Sequence, residues 1–170
     1  MLLSPVLCGI YILIKLESSG PALFRQLRVG HGGRLFSCMK FRTMDHARSD
    51  LVSAKQTQPG DPRITRVGAV LRKLSLDELP QLFNVLVGDM SLVGPRPLAP
   101  GTSIGGVPVD KLVPDFARRH SVKPGITGLA QARGLRGALC TVSQLLERVA
   151  ADMEYVCDHS LWLDLKIMVA

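Results

Sequence analysis

The sequence predicts an α+β protein, mostly helical, with one short β-hairpin and apolar ends suited to a membrane surface. Three observations predict it. Residues 22–29 (ALFRQLRV) and 34–42 (RLFSCMKFR) read as two strands around the glycine-rich stretch GHGG. Leu79, Leu82, Phe83 and Leu86 recur at the spacing of an amphipathic helix, and so do Val142, Leu145, Leu146, Val149 and Met153. The stretches MLLSPVLCGIYILI at the start and LWLDLKIMVA at the end are largely apolar.

With 170 residues the chain is long enough for one domain with a sizeable core, and residues 1–170 are read as a single domain. A hydrophobic content of 46% excludes a disordered chain and hints at membrane contact. The net charge of +7, from 21 basic and 14 acidic residues, suits an anionic partner: nucleic acid, anionic lipid or phosphorylated small molecules. Aromatic residues are only 5%, so stacking platforms are few, and no nucleic-acid-binding motif occurs; no nucleic-acid partner is expected. Cys8, Cys38, Cys140 and Cys157 show neither a disulfide framework nor zinc-ligand spacing, which points to reduced thiols facing a cytosol.

In chain order, the apolar start would make a helix of about 21 Å, short of a hydrocarbon core of about 30 Å. Pro5 is expected to kink or break it. With no basic region before it and no cleavage signal after it, a secretory signal is not expected. Three readings stay open: a buried core helix, a re-entrant membrane segment, or the tail of a truncated spanning helix. In the second strand Lys40 and Arg42, two apart, share a face. Residues 45–55 are polar and compatible with a helix, and 56–62 (QTQPGDP) form a loop. A basic helix follows over about 64–73, carrying Arg66, Arg72 and Lys73.

Gly88 is placed to end the next helix. The prolines of SLVGPRPLAP force an extended or turning chain over 91–100. Residues 98–108 read as a mobile loop and 123–128 (KPGITG) as a turn. The last segment, with Trp162, Asp164 and Lys166 set into apolar residues, fits an interfacial helix. No internal repeat is found.

GTSIG at 101–105 matches the serine-hydrolase pattern GxSxG, but it lies between Pro100 and Pro108 without the strand and helix that the nucleophile turn needs; it is read as a chance match. His31, His46, His120 and His159 lack metal-ligand spacing and are read as surface or structural.

The stretch LSLDELPQLFN, residues 74–84, carries the most chemistry. Ser75 and Glu78 have the spacing of a capping box. Pro80 disfavours that reading, because a proline belongs in a first turn, so the helix is expected to begin near Asp77. Capping and catalysis both remain open for Asp77 and Glu78. Adjacent carboxylates cannot straddle a sugar as a glycosidase pair does. They can serve as one nucleophile and one ligand of Mg²⁺, with an aspartate attacking a phosphoryl group. Such an attack needs positive charge, and Lys40, Arg42, Arg72 and Arg96 are candidates to supply it. Arg96, bracketed by Pro95 and Pro97, sits on so restricted a backbone that it loses little entropy on binding a phosphate.

Together these residues resemble the bacterial sugar transferase family, monotopic phosphoglycosyl transferases that initiate polysaccharide assembly. The stretches are LSPVLCGIYILIKLESSGPALFRQLRVG, KFRTM, DPRITRVGAVLRKLSLDELPQLFNVLVGDMSLVGPRP, VKPGITGLAQ and YVCDHSLWLDLKIM. The C-terminal run is similar to that of the larger hexose-1-phosphate transferases. The resemblance implies transfer of sugar-1-phosphate from a UDP-sugar to polyprenyl (undecaprenyl) phosphate, with UMP released, at the cytosolic face of the bacterial inner membrane. It implies Asp77 as nucleophile, Glu78 as the holder of Mg²⁺, and Lys40 and Arg72 in the active site. Pro95, Arg96 and Pro97 would help bind the nucleotide sugar, with Arg42 beside them as a substrate-binding candidate. Ser4 and Pro5 would break the first helix, so that residues 1–17 form a re-entrant membrane segment, expected to be truncated. QARG at 131–134 departs from the family's usual Q-V-N-G, and residues 98–110 match no family pattern. A homodimer is left open. The rival reading is a non-catalytic basic module on a membrane surface.

Overall fold

The computed structural model describes residues 4–46 and 60–170. Most of the helix considered at 45–55 and most of the 56–62 loop lie outside them. The fold is α+β, about half helical, with small two-stranded sheets. Among the described residues, no helix is long and apolar enough to cross a membrane. The chain divides into two compact units, residues 1–26 with 38–83, and residues 27–37 with 84–170. Strands β1 (Leu23–Val29) and β2 (Leu35–Phe41) form the expected hairpin, closed by the Gly30 N–H donating to the Arg34 carbonyl at 2.8 Å. Gly32 and Gly33 turn it with φ of 63° and 76°, a region glycine enters without strain.

In the first unit, α1 (Ser4–Glu17) is an unbroken helix over its described length. Pro5 stands in the first described turn, and the residues ahead of it that its ring would kink lie outside the described ones. A break ahead of Ser4 would involve residues outside the described ones. Of this helix only Ile10 and Ile14 are buried, while Val6, Tyr11, Ile12, Leu13 and Leu16 are exposed, which removes the buried core helix from the three readings. Ile10 and Ile14 pack with Ala22, Phe41 and Leu71, and Val67, Leu76 and Leu79 lie against them.

Helix α2 (Arg66–Lys73) falls where its basic pattern placed it, capped by the Thr65 hydroxyl, which accepts from the Gly68 N–H at 2.9 Å. Gly68 lets α2 approach the end of β2: a Cβ there would lie 2.1 Å from the Thr43 carbonyl oxygen. Next come a 3-10 turn at Leu76–Glu78 and helix α3 (Gln81–Leu86), after which Gly88, at φ 89°, turns the chain as expected.

In the second unit, β3 (Ser91–Val93) pairs in parallel with β6 (Gly125–Thr127), Ser91 opposite Gly125. The stretch read as a mobile loop is instead ordered as a second hairpin, β4 (Ser103–Ile104) with β5 (Val107–Pro108), leading into α4 (Val109–Leu112). Gly105 and Gly106 both take positive φ, as a two-residue hairpin turn requires. Ile104 ties the hairpin to a core of Val109, Val113, Phe116, Leu139, Leu145 and Val149. Ser103 thus lies in an edge strand, not at a strand-to-helix elbow.

Helix α5 (Leu129–Ala132) follows β6, and α6 (Val142–Asp158) starts from a full capping box of Thr141 and Gln144. Its expected apolar stripe is half correct. Leu145 and Val149 are buried, Val142 and Leu146 are exposed, and the inward face also carries Arg148 and Asp152. Helix α7 (Leu161–Val169) buries only Ile167 and exposes Leu161, Trp162, Leu165 and Met168, with the Lys166 ammonium 5.4 Å from the Trp162 ring centroid.

Candidate active site

The DELP stretch folds differently from either expectation. Ser75 adopts a left-handed conformation (φ 56°) and its side chain caps nothing, so there is no capping box. Residues Leu76–Glu78 close a separate 3-10 turn, and α3 begins only at Gln81, after the buried Pro80, rather than near Asp77. Proline explains the break. Its ring admits it directly ahead of a helix and forbids it further in. Asp77 and Glu78 are therefore held in a tight turn between two helices, an arrangement that sends two adjacent carboxylates to different surroundings.

The Glu78 carboxylate accepts from the Lys40 ammonium at 2.8 Å, both side chains being largely buried. Asp77 is buried, at 9% exposure. Burial holds the Arg72 guanidinium below its usual range, and the negative charge of Asp77 is the largest influence restoring it, so Arg72 and Asp77 face each other electrostatically. The Arg72 Nε–H donates to the Thr43 hydroxyl at 2.7 Å. Thr43 is itself buried, and its carbonyl receives the Thr65 N–H at 3.1 Å. One turn of α2, the end of β2 and the 3-10 turn thus bring Lys40, Thr43, Arg72, Asp77 and Glu78 together within the first unit. Thr43 was not singled out in the sequence; its place directly after the basic pair Lys40 and Arg42 in KFRTM was the available signal.

Arg42, expected as a substrate-binding candidate, is turned toward the end of α1. It is 4% exposed, and its guanidinium donates to the carbonyls of Ser18 (2.8 Å) and Ser19 (2.5 Å) and to the Ser18 hydroxyl (2.9 Å). A buried guanidinium must satisfy its donors. The terminal nitrogens of Arg42 do so by fastening the exit of α1, while its Nε is buried without a hydrogen-bond partner among the described residues.

The stripe expected to bury α3 is only half inward: Leu79 and Leu82 are partly buried. Gln81 and Asn84 are buried, while Phe83 and Leu86 are exposed. Asn84 can be buried because its side-chain amide donates to the Ser37 carbonyl at 2.8 Å. In the first unit, Phe83 lines an apolar cavity of about 420 Å³ together with Leu7, Tyr11, Ile12, Phe41 and Pro80. Phe41 directly follows Lys40, and Pro80 lies two residues beyond Glu78.

In the second unit, Pro95 and Pro97 are buried and Arg96 is half-buried. They line a shallow cleft with Arg119, His120 and Val122. Burial first, and the Arg119 charge second, push the His120 imidazole down to about 4, so it is neutral at physiological pH. Its Nε2 is buried and makes no hydrogen bond among the described residues.

Among the described residues, no cluster of three or more His, Cys, Asp or Glu forms a metal cage. The adjacent carboxylates Asp77 and Glu78 nonetheless fit a hard cation that keeps its waters and shares substrate phosphate oxygens.

A family model described as bacterial sugar transferase matches residues 1–170. The chain is 52% identical over 166 residues to the undecaprenyl-phosphate glucose phosphotransferase of Komagataeibacter xylinus, covering 98% of this chain and 31% of that protein. It is 52% identical over 168 residues to the UDP-glucose:undecaprenyl-phosphate glucose-1-phosphate transferase of Caulobacter vibrioides, covering 99% of this chain and 61% of that one. It is 46% identical over 167 residues to the UDP-N-acetylgalactosamine-undecaprenyl-phosphate N-acetylgalactosaminephosphotransferase of Aeromonas hydrophila, covering 98% and 38%. The chain therefore spans between about a third and three-fifths of the length of these relatives.

Proposed function

This chain belongs to the bacterial sugar transferase family, and we propose that it transfers a hexose-1-phosphate from a UDP-sugar to a polyprenyl phosphate, initiating polysaccharide synthesis. The observation that carries the proposal is the contrast in the 3-10 turn: Asp77 is buried, its charge favouring the Arg72 guanidinium, while Glu78 is paired with Lys40.

An Asp77 carboxylate oxygen attacks the sugar-proximal (β) phosphorus, the bond from that phosphorus to the UMP oxygen breaks, and UMP leaves with the electron pair. The product is an aspartyl phosphosugar. A phosphate oxygen of the polyprenyl phosphate then attacks the same phosphorus, and the bond to Asp77 breaks. One phosphoanhydride replaces another, so the transfer is close to thermoneutral and UMP reverses it. Arg72, oriented by Thr43, and Lys40 lower the cost of bringing an anion to an anionic phosphate. Mg²⁺, held by Glu78 and phosphate oxygens, would neutralise charge building on the leaving UMP.

The apolar cavity beside Phe41 and Pro80 suits the isoprenoid chain of such an acceptor. The exposed apolar faces of α1 and α7 suit a bilayer surface, which for a UDP-sugar donor is the cytosolic face of the cytoplasmic membrane. Relatives named for glucose make UDP-glucose the first donor to try, with UDP-N-acetylgalactosamine beside it.

The test uses the membrane-reconstituted protein with labelled UDP-sugars and Mg²⁺ and no lipid acceptor. A covalent adduct, heavier by one phosphosugar and lost in Asp77→Asn, is expected. Near-normal turnover by Asp77→Asn removes the nucleophile assignment. Salt-sensitive liposome binding with no turnover of any donor would favour a basic membrane-surface module instead.

A further inference from the structure

We infer that Arg119 and Asp152 are positioning residues for Arg96, acting on its backbone so that its side chain is presented to the donor; the inference rests on the reading of Arg96 as a donor-binding residue. The starting point is how the segment from Pro95 to Leu98 is held. Prolines at 95 and 97 supply no N–H, so the segment is gripped chiefly through its carbonyls. All four are taken. The Gly125 N–H donates to the Pro95 carbonyl at 3.1 Å and the Val29 N–H to that of Leu98 at 3.0 Å. An Arg28 Nη donates to the Pro97 carbonyl at 3.3 Å. The Arg119 Nη2 donates to the carbonyl of Arg96 itself at 2.8 Å. Pinning every carbonyl of so short a stretch fixes the backbone from which the Arg96 side chain projects.

The grip on Arg96 is the one that depends on a buried charge. Arg119 is 2% exposed, and such a guanidinium persists only beside a counter-charge. Asp152, also 2% exposed, provides it through two bonds to one oxygen, at 2.6 Å from Nη2 and 3.1 Å from Nε. The same Nη2 therefore bridges Asp152 and the Arg96 carbonyl. Phe116 closes the arrangement, with the Arg119 guanidinium carbon 5.2 Å from its ring centroid. Arg148, one helical turn ahead of Asp152, is drawn to Asp152 and repelled by Arg96 and Arg119. Asp152 thus attracts both Arg119 and Arg148, two guanidinium groups that repel each other. A planar, forked guanidinium makes both bonds at once, whereas a lysine ammonium at the same place lacks that geometry.

The experiment separates the two half-reactions in the membrane-reconstituted protein. In Arg119→Lys and in Asp152→Asn, the UDP-sugar concentration for half-maximal adduct formation is expected to rise about 10-fold, the scale of a misplaced binding group. Discharge of preformed adduct by polyprenyl phosphate, which does not involve the nucleotide, stays at the wild-type rate. Adding Arg119→Lys to Arg96→Met produces no further rise, because the residue it positions is gone. A donor requirement within about twofold of wild type in Arg119→Lys, or a full additional effect in the Arg96→Met background, overturns the inference. Should Arg119→Lys and Asp152→Asn not fold by circular dichroism, Arg28→Met loosens the neighbouring carbonyl from a half-buried position. It is expected to raise the donor requirement about 3-fold, and an unchanged value overturns the inference. Calorimetric binding of UDP to the same variants reads the positioning without any adduct. A wild-type protein that binds UDP but forms no adduct thus fails the proposed chemistry alone.

Discussion

The Lys40 ammonium lies 2.8 Å from the Glu78 carboxylate, one residue beyond the buried Asp77. This pair places a cation on the group expected to hold Mg²⁺, so the two positive charges compete for one carboxylate. In Lys40→Met the maximal rate of adduct formation is expected to fall roughly 10²–10³-fold, the scale for losing one charge-stabilising donor. The Mg²⁺ concentration for half-maximal rate falls at the same time. A magnesium titration of adduct formation reads both, and a raised magnesium requirement would contradict the competition.

Gly68 and Thr43 supply the second prediction. A Cβ at position 68 would meet the Thr43 carbonyl oxygen at 2.1 Å, so Gly68→Ala must push α2 away from β2. Overpacking of this kind costs about 1–3 kcal/mol. The melting temperature is expected to drop on the order of 5 °C. Activity should fall further than stability, because Arg72 leaves Thr43. Thermal melts set beside adduct formation at a temperature where the variant is folded make the comparison.

Arg42 and Arg96 should behave oppositely. Arg42→Met strands the carbonyls of Ser18 and Ser19 and is expected to cost about 1–3 kcal/mol in a denaturant titration. Its donor requirement, measured on folded protein, stays near wild type. Arg96→Met weakens donor binding and changes the denaturation midpoint little.

The exposed part of the α3 stripe predicts that Phe83→Gln and Leu86→Gln leave the melting temperature nearly unchanged, since both side chains are exposed. Partitioning onto liposomes is expected to weaken in a flotation assay. A large stability loss would mean that this face is covered by protein.

His120 makes stability depend on pH. Its folded pKa is pushed down from 6.5 to about 4, so the unfolded chain binds the proton more readily. Its contribution is fully present above pH 6.5 and declines as pH falls from there toward 4. Carboxylates titrate in the same window, so the readout is the difference between wild-type and His120→Leu melting curves. That difference should shrink as pH falls; a constant difference would sink the assignment.

The sequence by itself determined the hairpin at 22–42, the basic helix ending at Lys73, the stop at Gly88 and the residue types of the site. Strand runs around glycines and a proline beside two carboxylates are local signals, written within a few residues. The tertiary structure alone decided which groups meet. KFRTM, RVGAVLRK and DELP converge because Gly68 admits α2 against Thr43, an approach between residues 25 positions apart. It also decided that Arg42 serves α1, that α3 turns Gln81 and Asn84 inward, and that 98–108 is a hairpin anchored by Ile104. A helical stripe shows that two faces differ, not which of them is covered. Likewise no local pattern pairs Arg119 with Asp152, 33 residues on. Burying both charges is favourable only once chain folding has set them 2.6 Å apart.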